Sequence, residues 1–166
     1  LPCNLTDWIK DYALDHYPGI VYPDAADAVV KTIMESDEKV SLICIGPLPN
    51  IGEALRREPK IVEKARFIGA HGSFYKGYGG SDGPTAETNS RLHTGDCQQV
   101  FRADWDITIT PIDTCGDVDL AGADYQKILQ SEKPLLKALQ EKIRIFAENC
   151  PWLSSEYDYK VKSTIL

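Results

Sequence analysis

Three short apolar runs, each followed by glycine or proline and separated by helical patterns, constrain this chain more than any other feature. Val40 to Ile45 is nearly continuous and stops at Gly46-Pro47, as expected of a strand buried on both faces. "RFIGAHGSF" and "DITITPID" are the second and third runs. Ahead of the first, "DAADAVVKTIMES" repeats Ala26, Val29, Val30, Ile33 and Met34 at helical spacing, with Asp24 as N-cap and Asp27 in the first turn. After it, "NIGEALRRE" offers Asn50 as a cap with Glu53 at capping-box spacing, and "EPKIVEKA" is a short helix with Pro59 near its first turn. "GDCQQVFRADW" reads as a helix from near Asp96, and "GADYQKILQ" as another. In "EKPLLKALQEKIRIFAENC" the apolar face is Leu135, Leu136, Leu139, Ile143 and Phe146. Strand alternating with helix predicts an α/β fold, an open, mostly parallel sheet flanked by helices.

In such sheets ligands bind beyond the carboxyl ends of the strands. Three loops leave those ends: Gly46–Asn50, the long stretch after Ala70, and Pro111–Gly116. They should open on one rim. The middle one, "HGSFYKGYGGSDGPTAETN", is rich in glycine and exceeds the usual length of an unstructured connection, which favours a functional loop. Its glycines do not form G-x-G-x-x-G opening a helix, because the next helical pattern comes only after Gly95; dinucleotide binding is a weak reading. Glu87 and Asn89 would share a face if their segment is extended. A carboxylate beside a carboxamide offers acceptors and donors to vicinal hydroxyls. The competing reading makes both solvated loop residues.

Length and composition bound the rest. At 166 residues the chain suits a single domain over 1–166, and 43% apolar residues can build a core. A net charge of −7 argues against nucleic acid as a partner. No run approaches the ~18 apolar residues of a membrane span. The five cysteines, Cys3, Cys44, Cys97, Cys115 and Cys150, form no C-x-x-C pair and read as free, mostly buried thiols. Asn4-Leu5-Thr6 is an N-glycosylation sequon, which leaves a secreted location open. "DVDLAGAD" could suggest a hard-metal site, but Asp119 and Asp124 read more simply as capping and first-turn charges. His71 and His93 lack an evident orienting partner.

Several blocks then fit together. "DYALDHYPGIVYPDAADAVVKTI", "SLICIGPLPNIGEALRREPKIVEKARFIGAHGSF", "GPTAETN" and "ITITPIDTCG" resemble, in order and spacing, the middle of the inosine/uridine-preferring nucleoside hydrolases. The resemblance implies hydrolysis of the N-glycosidic bond of ribonucleosides. It also implies a Ca²⁺ ion at the carboxyl edge of a parallel sheet, which with a neighbouring Asp activates water. The partner implied is a ribonucleoside or ribose, and the compartment the cytoplasm. On this resemblance the ribose-binding Glu and Asn of the A-E-x-N motif fall on Glu87 and Asn89. A further ribose-binding Asn falls on Ser81, which keeps a hydroxyl but no amide. A calcium-binding backbone carbonyl, from Thr in the family's G-P-L-T-N turn, falls on Pro49, which retains that carbonyl.

Two segments of the family pattern are not matched. The Asp-rich D-x-D-x-x-x-D-D segment that supplies metal ligands and the base has no counterpart before Asp24, and the segment carrying a further Asp ligand would follow Leu166. "DVDLAGAD" has Ala123 where the paired Asp would stand. No catalytic residue is therefore assigned. The expectation is a fold truncated at both ends and inactive alone. Catalysis would need a complementing chain or segment, and exposed strand edges would favour a homo-oligomer. The alternative is a non-catalytic relative kept as a binding or structural protein.

Overall fold

The computed structural model describes residues 5–149 and 160–162, so the Asn4 sequon, Cys3 and Cys150 lie outside the described residues. In chain order come α1 (Leu5–Ile9), a 3₁₀ turn (Leu14–His16), α2 (Ala25–Glu35), β1 (Val40–Cys44), α3 (Pro49–Arg57), α4 (Ile61–Lys64) and β2 (Ala65–Gly69). A second 3₁₀ turn (Tyr78–Gly80) precedes α5 (Thr88–Leu92), α6 (Thr94–Arg102), β3 (Ile107–Ile109) and α7 (Ile112–Cys115). Then follow β4 (Asp119–Ala121), α8 (Gly122–Leu129), α9 (Pro134–Asn149) and β5 (Lys160–Lys162). Contacts divide the chain into two compact units: Val21–Gly116, and Leu1–Ile20 with Asp117–Leu166.

The Val21–Gly116 unit holds the parallel sheet, in the order β1-β2-β3. Val40 pairs with Ala65, and Phe67 pairs in turn with Ile107. When consecutive parallel strands are neighbours, right-handed crossovers bring the connecting helices onto one face. The core accordingly joins Val40, Leu42, Cys44, Ala65, Phe67 and Ile109 of the strands to Ile33, Ile51, Leu55, Ile61 and Val100 of the helices. This corrects the expectation for the first run. Val40, Leu42 and Cys44 pack on the core, whereas Ile43 and Ile45 are 68% and 79% exposed.

Phe67 sits at the centre. Its ring stacks on Trp105 at 5.8 Å between centroids and meets Phe101 edge-on at 6.0 Å. The Trp105 indole N–H is satisfied by the Val100 carbonyl at 3.0 Å. Helix starts follow local chemistry. Asp24 accepts the Asp27 amide at 2.9 Å, capping α2. Asn50, by contrast, does not cap α3: the helix begins at Pro49, with Leu48 at the cap position and no side-chain bond. Proline lacks an N–H and has its φ preset for the first helical position, so it displaces Asn50 into the first turn. Likewise α5 and α6 start at Thr88 and Thr94, earlier than the pattern around Asp96 predicts.

The other unit pairs β4 with β5 in antiparallel register and packs α8 and α9 around Tyr125, Ile143, Ala147 and Val161. Asp119 is thus a strand residue, 3.6 Å from Lys160 Nζ, and not a helix cap; Asp124 does lie in the first turn of α8. Leu139 and Phe146 join this core beside Ile143, but Leu135 is exposed, because the first turn of α9 extends past so small a core.

Gly52 of α3 lies close against Asp96 of α6. A methyl group there would lie 2.3 Å from Asp96 Oδ1 and 2.8 Å from Asp96 Cβ. Asp96 is itself held by Arg56 at 2.9 Å. Gly52→Ala should therefore cost about 1–3 kcal/mol through overpacking. Urea unfolding checks this, and an unchanged midpoint would mean that the two helices separate freely.

Candidate functional site: the carboxyl edge of the parallel sheet

Parallel strands bring the loops after β1, β2 and β3 to one edge, as the sequence predicts. Ala70 N–H bonds to Cys44 O at 2.9 Å, Thr110 N–H to Gly69 O at 2.8 Å, and Ile112 N–H to Gly72 O at 3.0 Å. Asn89 spans the first two loops. Its Nδ2 donates to Ala70 O at 2.9 Å and, more weakly, to Ile45 O at 3.4 Å. Its Oδ1 has no protein donor among the described residues.

Glu87 is 7% exposed and caps α5. Its Oε1 accepts the Asn89 amide at 2.7 Å, and its Oε2 accepts the Ser90 amide at 2.9 Å and the Gly72 amide at 3.2 Å. The Ser90 hydroxyl adds a fourth bond at 3.0 Å, and the Tyr78 phenol approaches Oε1 at 3.5 Å. The extended segment assumed for Glu87 and Asn89 is therefore not what brings them together. Glu87 has extended backbone but Asn89 is already helical, and the carboxylate reaches back to cap the turn that carries Asn89.

Ser81 is exposed, and no hydrogen bond links its side chain to Glu87 or Asn89 among the described residues. It lies in a tight reversal where Gly77 N–H bonds to Ser81 O at 2.9 Å. A Cβ on Gly77 would come within 2.3 Å of Thr85 Cγ2 and 2.6 Å of Ser81 Oγ, so any larger residue there would force those side chains to move. Pro49 is the first residue of α3, so its carbonyl is directed along the helix axis.

Two contributors were not singled out from the sequence. Asp113, just after β3, takes three consecutive amides of the middle loop: Phe74 on Oδ2 at 2.8 Å, and Tyr75 and Lys76 on Oδ1 at 2.6 and 3.0 Å. These donors hold its carboxyl down at about 2, far below its ordinary value of 3.8. The available signal was an Asp in the third rim loop, "PIDTCG". Tyr78 accepts Thr88 N–H and donates to Thr88 Oγ1, both at 2.9 Å; no spacing pointed to it.

His71 is 1% exposed, packed against Phe67 and Phe101, and burial pulls its pKa down. Its Nε2 lies 3.1 Å from Gly46 O, and since a carbonyl only accepts, that nitrogen carries the proton. His71 thus ties two rim loops together as a neutral imidazole and cannot reach solvent as a base. His93 is half exposed, with Nδ1 3.7 Å from Asp96. Burial pushes the Cys44 thiol up to about 11, so it is no thiolate nucleophile at neutral pH. Cys44, Cys97 and Cys115 form no disulfide among the described residues; Cys97 is buried and the other two are partly buried.

Ca²⁺ takes 6–8 oxygen ligands. The carbonyl of Pro49 is turned into a helix, the carboxylates of Glu87 and Asp113 are each engaged by loop amides, and no group of three His, Cys, Asp or Glu side chains gathers among the described residues. These residues alone do not fit a calcium site. A cavity of about 620 Å³, lined by Leu55, Val62, Gln98 and Arg102 among others, shares no residue with the rim.

The family model described as inosine-uridine preferring nucleoside hydrolase matches residues 14–158. The chain belongs to this family. It is 28% identical over 125 residues to the pyrimidine-specific ribonucleoside hydrolase RihA of Enterobacter sp. (strain 638), covering 75% of this chain and 39% of that protein. It is 30% identical over 90 residues to the inosine-uridine preferring nucleoside hydrolase of Leishmania major, covering 54% of this chain and 28% of that one. A plant nucleoside hydrolase, PpNRh1, superposes with a TM-score of 0.67 at 20% identity, over 91% of this chain and 48% of its own. A Bacillus anthracis inosine-uridine preferring nucleoside hydrolase gives 0.59 at 21% identity, over 88% and 47%. The α/β fold is thus shared with nucleoside hydrolases, and the chain spans about half the length of these structures.

The depressed pKa of Asp113 has a signed consequence. Its contribution to loop order is fully present above the ordinary carboxylate value and is lost as pH falls through about 2. The amide resonances of Phe74, Tyr75 and Lys76 should therefore hold steady from neutral pH down to pH ~4 and shift together only below that. A common midpoint near the ordinary value in an NMR titration would contradict the clamp.

Proposed function

We propose that the Val21–Gly116 unit carries the sugar side of a nucleoside-hydrolase pocket, with Asn89 and Glu87 receiving ribose hydroxyls. Asn89 carries this reading. Its Nδ2 is anchored just beyond the ends of β1 and β2, which fixes Oδ1, without a protein donor among the described residues, at the edge where α/β sheets bind ligands. Glu87 Oε1 has one short bond and one long one, so it retains accepting capacity. Ser81, on the exposed reversal, would join only through loop closure.

Hydrolysis of the N-glycosidic bond is the family reaction, and we assign it to this chain only with a complementing segment. Calcium ligands and a catalytic base would come from that segment. Membership of the family together with an incomplete donor set supports this division. One observation favours the second reading, a non-catalytic relative with a structural rim. Glu87 is already engaged by Gly72, Asn89, Ser90 and Tyr78, a sufficient occupation for a purely structural cap.

The 166-residue chain alone should release no ribose from inosine or uridine, with or without added Ca²⁺. Release that EDTA abolishes would overturn the need for complementation. Ribose should still shift the Asn89 side-chain amide resonances, and Asn89→Ala should abolish binding; ribose that perturbs nothing at the rim would favour the structural reading. In sedimentation, we expect self-association in dilute solution, driven by unpaired strand edges and exposed isoleucines. A stable monomer would count against it.

A further inference from the structure

We propose that Asp113 is a positioning residue of this site: its carboxylate fixes the backbone of Phe74–Lys76 and, through it, the orientation of Glu87 and Asn89. The inference rests on the sugar-binding reading above. The loop from Ala70 to Thr88 has little regular structure, a single 3₁₀ turn and one isolated bridge between Lys76 and Asp82. Something other than secondary structure must hold it. Three consecutive amides converge on one carboxylate, and both oxygens are used. Charge-assisted bonds of this kind are about twice as strong as neutral ones.

Two routes lead from Asp113 to Glu87. The first runs through the loop. Ser73 Oγ donates to Lys76 O at 2.7 Å and accepts Thr85 N–H at 2.9 Å, while Gly83 N–H bonds to Tyr75 O at 3.1 Å. The outgoing strand of the loop is thereby tied to the incoming one, two residues short of Glu87. The second is shorter. Ile112, the neighbour of Asp113, donates its N–H to Gly72 O at 3.0 Å, and Gly72 donates its own to Glu87 Oε2 at 3.2 Å. Gly72 holds φ of +87°, a conformation that suits glycine, and the two successive peptide units that flank its Cα make these two bonds. The core residues around Phe67 do not depend on any of these bonds, so position and stability can be separated.

The test uses the whole chain with Asp113→Asn and Asp113→Glu. An amide offers one accepting oxygen and turns an NH₂ donor toward a backbone N–H, so Asn cannot hold all three. Asp113→Asn should speed hydrogen exchange at Phe74, Tyr75 and Lys76. It should do the same at Gly72, Asn89 and Ser90, the amides Glu87 holds, by about ten-fold, the equivalent of one charge-assisted bond. The Phe67 amide, bonded to Asp106 O at 2.8 Å, should keep its protection, and thermal unfolding should stay in place. Ribose affinity should fall by a similar factor, with partial recovery in Asp113→Glu.

Wild-type exchange at Gly72, Asn89 and Ser90 in Asp113→Asn would overturn the proposal. So would a loss of protection that includes Phe67 equally, which would make Asp113 merely structural. If Asp113→Asn does not fold, Asp113→Glu carries the same readouts with its oxygens displaced by one methylene. Should the wild-type chain bind no ribose, the sugar reading fails, while the exchange at Gly72, Asn89 and Ser90 still decides whether Asp113 orients Glu87.

Discussion

Parallel pairing of β1, β2 and β3 puts Cys44, Gly69 and Ile109 side by side at one end of the sheet. Everything at the rim depends on that registration. Once the carboxyl ends are level, the peptide groups just beyond them have no further strand to bond with, and each must find a partner. Ala70 and Thr110 continue the ladder for one residue. Beyond them the work passes to side chains: His71 to Gly46, Asn89 to Ala70 and Ile45, Asp113 to the loop amides. The polar residues at this edge are there first because a severed ladder leaves carbonyls and amides unsatisfied.

The same economy fixes the polar atoms that remain at the rim. A side chain that spends some of its polar atoms on the backbone is held still, and what remains unspent is presented in a fixed direction. Asn89 spends its donors and keeps its acceptor. Glu87 spends more, on three amides and a hydroxyl. That is why the balance between a binding role and a structural one tips differently for the two residues.

The sequence made much of this legible. Alternating strand and helix patterns located the three parallel strands, and the helices around Ile33 and Ile143 followed their apolar spacing. The motif A-E-x-N placed Glu87 and Asn89 at the rim before any geometry was known. Other features were read differently from how they fold. Asn50 looked like a cap until Pro49 took the first helical position. Asp119 looked like a cap too, and pairs in a strand with a segment some forty residues on. Val40–Ile45 looked doubly buried because a run of apolar residues carries no information about how many faces are covered. Nothing local marks Asp113 within its loop, since its three partners lie nearly forty residues earlier in the chain.

Local chemistry is what the sequence by itself determined: periodicity for the helices, glycine and proline for the turns, and a motif dense enough to specify the family. Those depend on residues within a few positions of one another. The tertiary structure decided which face of the sheet the helices cover, which amides a distant carboxylate would clamp, and which polar atoms stay free at the edge. Each of these is a competition among partners far apart in the chain for a limited set of hydrogen-bonding and burial sites. Its outcome is settled by strand order and register, which no local pattern encodes.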